Sequence, residues 1–145
     1  MSEIIIYTRP EDGGVSVVYP TGKVTIETVL AQIPEGALNV RVADVKDLPK
    51  SREYREAWTD ENPGPQVDVC MKKAKHIHMQ RIRHARNKKL NELDMEQVRH
   101  IQNPKKLQDL EDRKQALRDL PTAFELKAEN PDALCALWPD ELERD

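Results

Sequence analysis

The chain opens with a pattern of short β-favouring runs broken by turn residues. Ile4-Ile5-Ile6-Tyr7 is β-branched and aromatic, Pro10-Glu11-Asp12-Gly13-Gly14 is turn chemistry, and Val15-Ser16-Val17-Val18-Tyr19 returns as a second β run. Proline fixes φ and glycine accepts positive φ, so residues 3–19 predict a β-hairpin. Ile26, Val29, Leu30 and Ile33 then follow helical spacing behind Thr25, a side chain suited to an N-cap. That predicts a short helix over residues 25–32, closed by Pro34-Glu35-Gly36. Leu38 to Ala43 alternates and predicts a third strand, with Leu38, Val40 and Val42 on one face. A turn is expected over Val45 to Pro49, and a short helical turn over Tyr54 to Trp58 with both rings on one side.

Residues 61–66 hold two prolines and a glycine, which neither helix nor central strand tolerates, so they predict a linker. Beyond it the period changes to helical. Val67, Met71, Ala74, His78, Ile82, Ala85 and Leu93 fall on one narrow stripe, and Asp68 is a candidate N-cap. One long helix is predicted from Val67, with a bend or break expected at Leu93-Asp94 and helix continuing over Met95 to Gln102. Asn103-Pro104 is a cap followed by proline at the first helical position, a restart signal. Leu107, Leu110, Lys114 and Leu117 share a face of the next helix, which Pro121 is expected to stop. Asn130-Pro131 repeats the cap-and-proline signal before a short helix ended by Pro139. The predicted class is α+β: a small N-terminal β-hairpin/αβ module over 1–60, a Pro/Gly linker over 61–66, and an antiparallel helical hairpin with a short capping helix over 67–145.

Charge adds a feature that hydropathy does not show. The net charge is only −3, but the signs are segregated. Between Val69 and Asn91 stand eight Lys or Arg, three His and no acid, whereas from Leu120 to Asp145 acids outnumber bases seven to two. Such blocks can steer association with oppositely charged surfaces. Charged residues at 34% and apolar ones at 38% describe a molecule with much wetted surface, or one that completes its core against a partner. Cys70 and Cys135 lie far apart and make no metal or redox spacing. The N-terminal residues carry no basic leader and no long apolar run, so a cytoplasmic product without a membrane span is expected.

Little here has the look of reaction chemistry, and no enzyme is expected. His76 and His78 stand two apart on a predicted helix and so point in different directions; Cys70 and His84 do not complete a ligand set. A buried histidine at a helix contact is the favoured reading of His78. The basic face from Lys72 to Lys89, including Arg81, Arg83 and Arg86, could meet phosphates, but it lacks aromatic residues for stacking on bases. A solvated or partner-facing helix surface is preferred, with a nucleic-acid role as the alternative. The acids near Glu92 and Glu111 carry no sign of a cleft that would perturb them. Tyr54, Trp58, Phe124 and Trp138 are large rings that such a chain needs for its core; exposed together they would mark a partner site.

The run Arg81-Ile-Arg-His-Ala-Arg-Asn-Lys-Lys-Leu90, the step Leu93-Asp94, the run Lys114-Gln-Ala-Leu-Arg-Asp-Leu-Pro121 and the terminal Leu137-Trp-Pro139 carry a resemblance. In that order they resemble the C-terminal part of small proteins of tailed bacteriophages, the tail fibre assembly proteins or tail assembly chaperones. Tyr7-Thr-Arg-Pro10, Gly13-Gly-Val-Ser-Val-Val18 and Glu53-Tyr-Arg-Glu-Ala-Trp-Thr-Asp60 are similar to uncharacterised proteins of the same gene neighbourhoods. The resemblance implies a non-enzymatic protein that binds phage tail or tail-fibre subunits, during assembly in the host cytoplasm or as a component of the virion tail. It implies a homo-oligomer or a part of a larger assembly. It brings no cofactor, no metal and no catalytic residue. Partner contact is expected at Tyr54, Trp58, Arg81, Arg83, Arg86, Phe124 and Trp138.

Overall fold

The computed structural model describes residues 3–61 and 64–144. The class is α+β, with a small antiparallel sheet and long helices. The chain divides into two compact units between Ala74 and Lys75.

The N-terminal unit is built on strands β1 (Glu3–Thr8), β2 (Val15–Val18) and β3 (Leu38–Asp44), in the order β2-β1-β3 with both pairings antiparallel. Strand β1 is central, which explains why three consecutive isoleucines suit it: Ile4, Ile5 and Ile6 are all buried, on both faces of the sheet. Ile4 and Ile6 enter a core with Val15, Ala43, Leu48, Trp58 and Val67. The β1–β2 turn is closed by Arg9, whose N–H donates to Gly14 O (2.8 Å) and whose guanidinium reaches Ser16 Oγ (3.0 Å) and Asp12. Gly13 supplies the positive φ (+72°) that this turn requires. Helix α1 (Ile26–Ala31) starts at Thr25, whose side chain accepts from Thr28 N. A single 3-10 turn, Val45–Asp47, follows β3 and is capped reciprocally by Asp44 and Asp47.

Strand β3 inverts the usual pattern. Leu38, Val40 and Val42 are 54%, 40% and 43% exposed, while Arg41 and Ala43 turn toward the core residues of β1 through the pairs Ile6–Arg41 and Ile4–Ala43, and Asn39 is exposed at an irregularity between them and Leu38. The cause is Asp60, which is buried. Asn39 donates to Asp60 O (2.9 Å) and Oδ2 (3.0 Å), and Arg41 donates to both Asp60 carboxylate oxygens (3.0 and 2.8 Å) and to Pro65 O (2.9 Å). The β1–β3 register slips here, with two residues of β1 facing three of β3, and Asn39 takes φ +51°. Asparagine is among the residues that tolerate this left-handed conformation, and an extra residue of this kind re-aims neighbouring side chains.

One expectation fails in the segment that follows. After the linker at 61–66, the sequence began the long helix at Val67 with Asp68 as cap. Asn62 and Pro63 lie outside the described residues, but the flanking chain folds back as strands β4 (Trp58–Thr59) and β5 (Asp68–Val69), paired Trp58–Val69 and Thr59–Asp68. Val67 N–H donates to Asp47 O (2.8 Å), Cys70 N–H to Ala57 O (2.7 Å), and Val67 is a core residue of the N-terminal unit. Residues 67–70 therefore belong to that unit, and the division falls after Ala74.

Helix α2 (Met71–Arg99) runs unbroken through Leu93-Asp94. No break occurs there because Leu93 is buried in the core of the C-terminal unit, where continuous helix is rewarded by packing. Helix α3 (Pro104–Ala123) begins at Asn103, whose side chain accepts from Lys106 N (3.1 Å). Asn103→Ala is expected to cost about 1 kcal/mol, within the usual range for a lost N-cap; urea unfolding followed by helical circular dichroism measures it, and no loss would mean the turn is held by packing alone. Pro121 does not stop α3. Its missing N–H removes one ladder bond, but Phe124 N–H donates to Leu120 O (2.8 Å), so the helix resumes beyond it, held by buried Leu117 and half-buried Leu120. Gln97 pairs with Glu111 and Asp94 with Lys114, residue numbers rising on α2 as they fall on α3, which sets the two helices antiparallel. Helix α4 (Pro131–Ala136) starts at Asn130, whose side chain accepts from Ala133 N (2.8 Å). The core of this unit is Ile82, Leu93, Leu110, Leu117 and Leu142, with Phe124, Leu126 and Trp138 packed against it.

Candidate functional site

Of the four large rings singled out, two lie inside and two are half-buried. Tyr54 and Trp58 are buried, on either side of a 3-10 turn (Arg55–Ala57) in the N-terminal unit. The indole Nε1 of Trp58 is a buried donor with no acceptor among the described residues. Phe124 and Trp138 are half-buried against the core of the C-terminal unit. Trp138 Nε1 donates to Leu142 O (3.0 Å), fixing the chain after α4, and Arg144 stacks 4.9 Å from its ring centroid. Tyr54 and Trp58 are thus core residues, as the size of their rings favours, and Phe124 and Trp138 keep part of their surface in solvent.

The histidines separate as the helical period requires. His76 is exposed, whereas His78 is wholly buried, its Nε2 2.6 Å from Leu137 O and its ring edge-on to Trp138 at 5.8 Å. The short contact to a carbonyl fixes Nε2 as the protonated, donating nitrogen. His78 thus ties α2 to the end of α4. Among the described residues no group of three His, Cys, Asp or Glu is placed to hold a metal ion. Both cysteines are free. Among the described residues no helix is long and apolar enough to cross a membrane.

Of the three arginines singled out, Arg83 is exposed, while Arg81 and Arg86 are half-buried. Arg86 donates to the adjacent Asn87 Oδ1 (3.2 and 2.9 Å). The polar seam between α2 and α3 is a network of Gln97, Glu111, Lys114 and Arg118, in which the Arg118 hydrogen bond, then that of Gln97, holds the Glu111 carboxyl below its ordinary range. All of this is exposed or half-exposed ion pairing, which orients helices at small net gain. A hollow beside Leu93, Leu117 and Leu120 is rimmed by Lys89, Arg113 and Glu141, without convergent catalytic groups.

The feature that sequence reading passed over lies at the free end of the α2–α3 pair. Met95, Val98 and Ile101 are 62%, 71% and 69% exposed. At about 100° per residue, Met95 and Val98 stand on the side of α2 away from buried Leu93. Val98 and Ile101 continue into a shallow groove with Pro104 and Leu107, bordered by Asp94 and Glu111. The signal was present in the sequence as apolar positions out of phase with the buried stripe. Fully burying a side chain of this size stabilises by about 1.5–3 kcal/mol, so three left in water at one helix end leave a sizeable gain unrealised in the isolated chain. No family model matches the chain, and neither a curated protein nor a solved structure matches it.

Proposed function

We propose that the chain is a non-enzymatic protein-binding component of a phage tail system, engaging a tail or tail-fibre subunit through the apolar end of its α2–α3 pair. The supporting observation is the exposed trio Met95, Val98 and Ile101, one helix end bearing three large apolar side chains beside an apolar groove. Exposed patches of this kind, bordered by charge, are where partners dock, and an amphipathic segment laid into the groove is the fitting occupant. The resemblance of residues 68–142 to tail fibre assembly proteins and tail assembly chaperones supplies the partner class.

The test is co-purification from phage-infected cells with Val98→Glu/Ile101→Glu beside the unaltered protein. The unaltered chain is expected to retain a tail or fibre subunit, identified by mass, through washes of rising salt. The variant, whose substitutions are solvent-facing and leave the helix intact, is expected to bind at least about tenfold more weakly, a loss of about 1.4 kcal/mol or more. Retention of nucleic acid instead, lost steeply with salt and with Arg81→Ala/Arg83→Ala/Arg86→Ala, would overturn the reading in favour of the basic face of α2.

A further inference from the structure

Four arginines occur in the N-terminal unit: Arg9, Arg41, Arg52 and Arg55. Two are matched with carboxylates, Arg9 with Asp12 and Arg41 with Asp60. The other two are not. Arg55 lies with its guanidinium carbon 4.3 Å from the Trp58 ring centroid, and Arg52 places its own 5.8 Å from the same ring. Neither guanidinium has an ion pair or side-chain hydrogen bond among the described residues. The geometry follows from the sequence. Arg52, Arg55 and Trp58 are spaced three apart, before, at the start of and just after the 3-10 turn Arg55–Ala57, with Arg55 N–H donating to Arg52 O (3.2 Å).

Stacking on an indole explains where these guanidiniums rest but not why two like charges share one ring. Arg55 is half-buried, and its pKa is pushed below its ordinary value by that burial first, then by repulsion from Arg52 and Arg9, with Glu56 and Tyr19 opposing. It stays charged, since guanidinium does not deprotonate in proteins. A stacked guanidinium keeps its edge N–H groups free in the ring plane, the geometry that accepts a carboxylate with two parallel hydrogen bonds.

We propose that Arg52 and Arg55, held on Trp58, form a recognition site for a single carboxylate side chain presented by a partner protein. The surroundings select for one anionic group rather than a string of them. Arg9, beside the pair, is already engaged by Asp12 and stands 4.0 Å from the exposed Glu56, and Glu11 adds a further negative charge nearby. A polyphosphate backbone would extend over all of those acids, whereas one carboxylate spans only the two guanidiniums, with Glu56 the one acid that also acts on Arg55. The site is separate from the apolar end of α2 and α3, so its failure would leave the proposed function standing, and the reverse.

The experiment follows the arginine Nε–Hε signals of the full chain by NMR, assigned with Arg52→Lys and Arg55→Lys. The probes are N-acetyl-aspartate methylamide, its N-acetyl-asparagine counterpart, and a thymidine oligonucleotide, each at constant ionic strength. The aspartate probe is expected to shift Arg52 and Arg55 saturably, with Kd on the order of 1–10 mM as suits one charged contact, and to move Arg9 and Arg41 little. Arg55→Gln should weaken binding at least about tenfold, or about 1.4 kcal/mol. Arg55→Lys, which keeps charge and fold but loses the fork, should fall between. An unsaturable response, equal response to the asparagine probe, or tighter binding of the oligonucleotide would each overturn the proposal.

Discussion

Leu110→Ala is expected to destabilise the C-terminal unit by about 2–5 kcal/mol, the range for removing a buried leucine and leaving a cavity. Leu110 is fully buried and sits among Ile82, Leu93, Leu117 and Leu142, which come from α2, α3 and the chain after α4. It is thus the side chain from which three segments take their spacing. A unit of this size has little stability in reserve, because small cores bury a limited fraction of their surface. The loss should therefore appear as a large drop in the urea midpoint of helical circular dichroism, and not only as a steeper tail. Val98→Ala, on the same helix pair but solvent-facing, is the control and should stay within about 0.5 kcal/mol. A loss below about 1 kcal/mol for Leu110→Ala would mean that α2 and α3 are not held by this cluster.

What could be read from the sequence was whatever depended on hydrogen bonds between near neighbours. Thr25, Asn103 and Asn130 each cap the helix they were expected to cap, because a side chain accepting an N–H three residues on is a local event. The first hairpin was legible for the same reason, its turn being closed within six residues by Arg9 and Gly14. Residues 58–70 were not legible. Strands of two residues have no period to detect, and their pairing, Trp58 with Val69, spans a stretch whose composition signals a linker. Proline there ends regular structure without ending the fold. Pro121 misled in the opposite direction: as a local rule it stops a helix, but packing of Leu117 and Leu120 carried the last turn past it.

The candidate surfaces were hidden for a related reason. A large ring is ambiguous between interior and partner contact until burial is known, and Tyr54 and Trp58 resolved to the interior. Met95 and Val98 on α2, and Ile101 just past its end, differ from ordinary apolar residues only in their phase relative to Leu93. Arg52 and Arg55 drew no reading from the sequence, because their placement near one indole shows only once the chain around Trp58 is folded.

Asp60→Ala is expected to cost about 2–3 kcal/mol and to act on the N-terminal unit alone, since a charged hydrogen-bonding network loses its shared acceptor. The Asp60 side chain is almost wholly buried and takes bonds from both Asn39 and Arg41, whose own side chain is about a quarter exposed. Removing the carboxylate leaves the Arg41 charge half-covered and the Asn39 amide with only the Asp60 carbonyl oxygen. Arg41, whose pKa stands above its ordinary value chiefly because of its hydrogen bond to Asp60, can recover some solvation, which keeps the cost below that of a fully buried pair. The structural consequence is more specific than the energy. Arg41 turns toward Asp60, whose two carboxylate oxygens both accept from it, while Leu38, Val40 and Val42 stand outside. Without Asp60 the strand has reason to present its apolar face to the core, a one-residue shift in β3 register that exchanges its two faces. Amide hydrogen exchange across residues 38–44 distinguishes the outcomes: altered protection there, with α2 and α3 unchanged, is the expected result, whereas uniform loss across both units would show that Asp60 serves general stability and does not set the facing of β3.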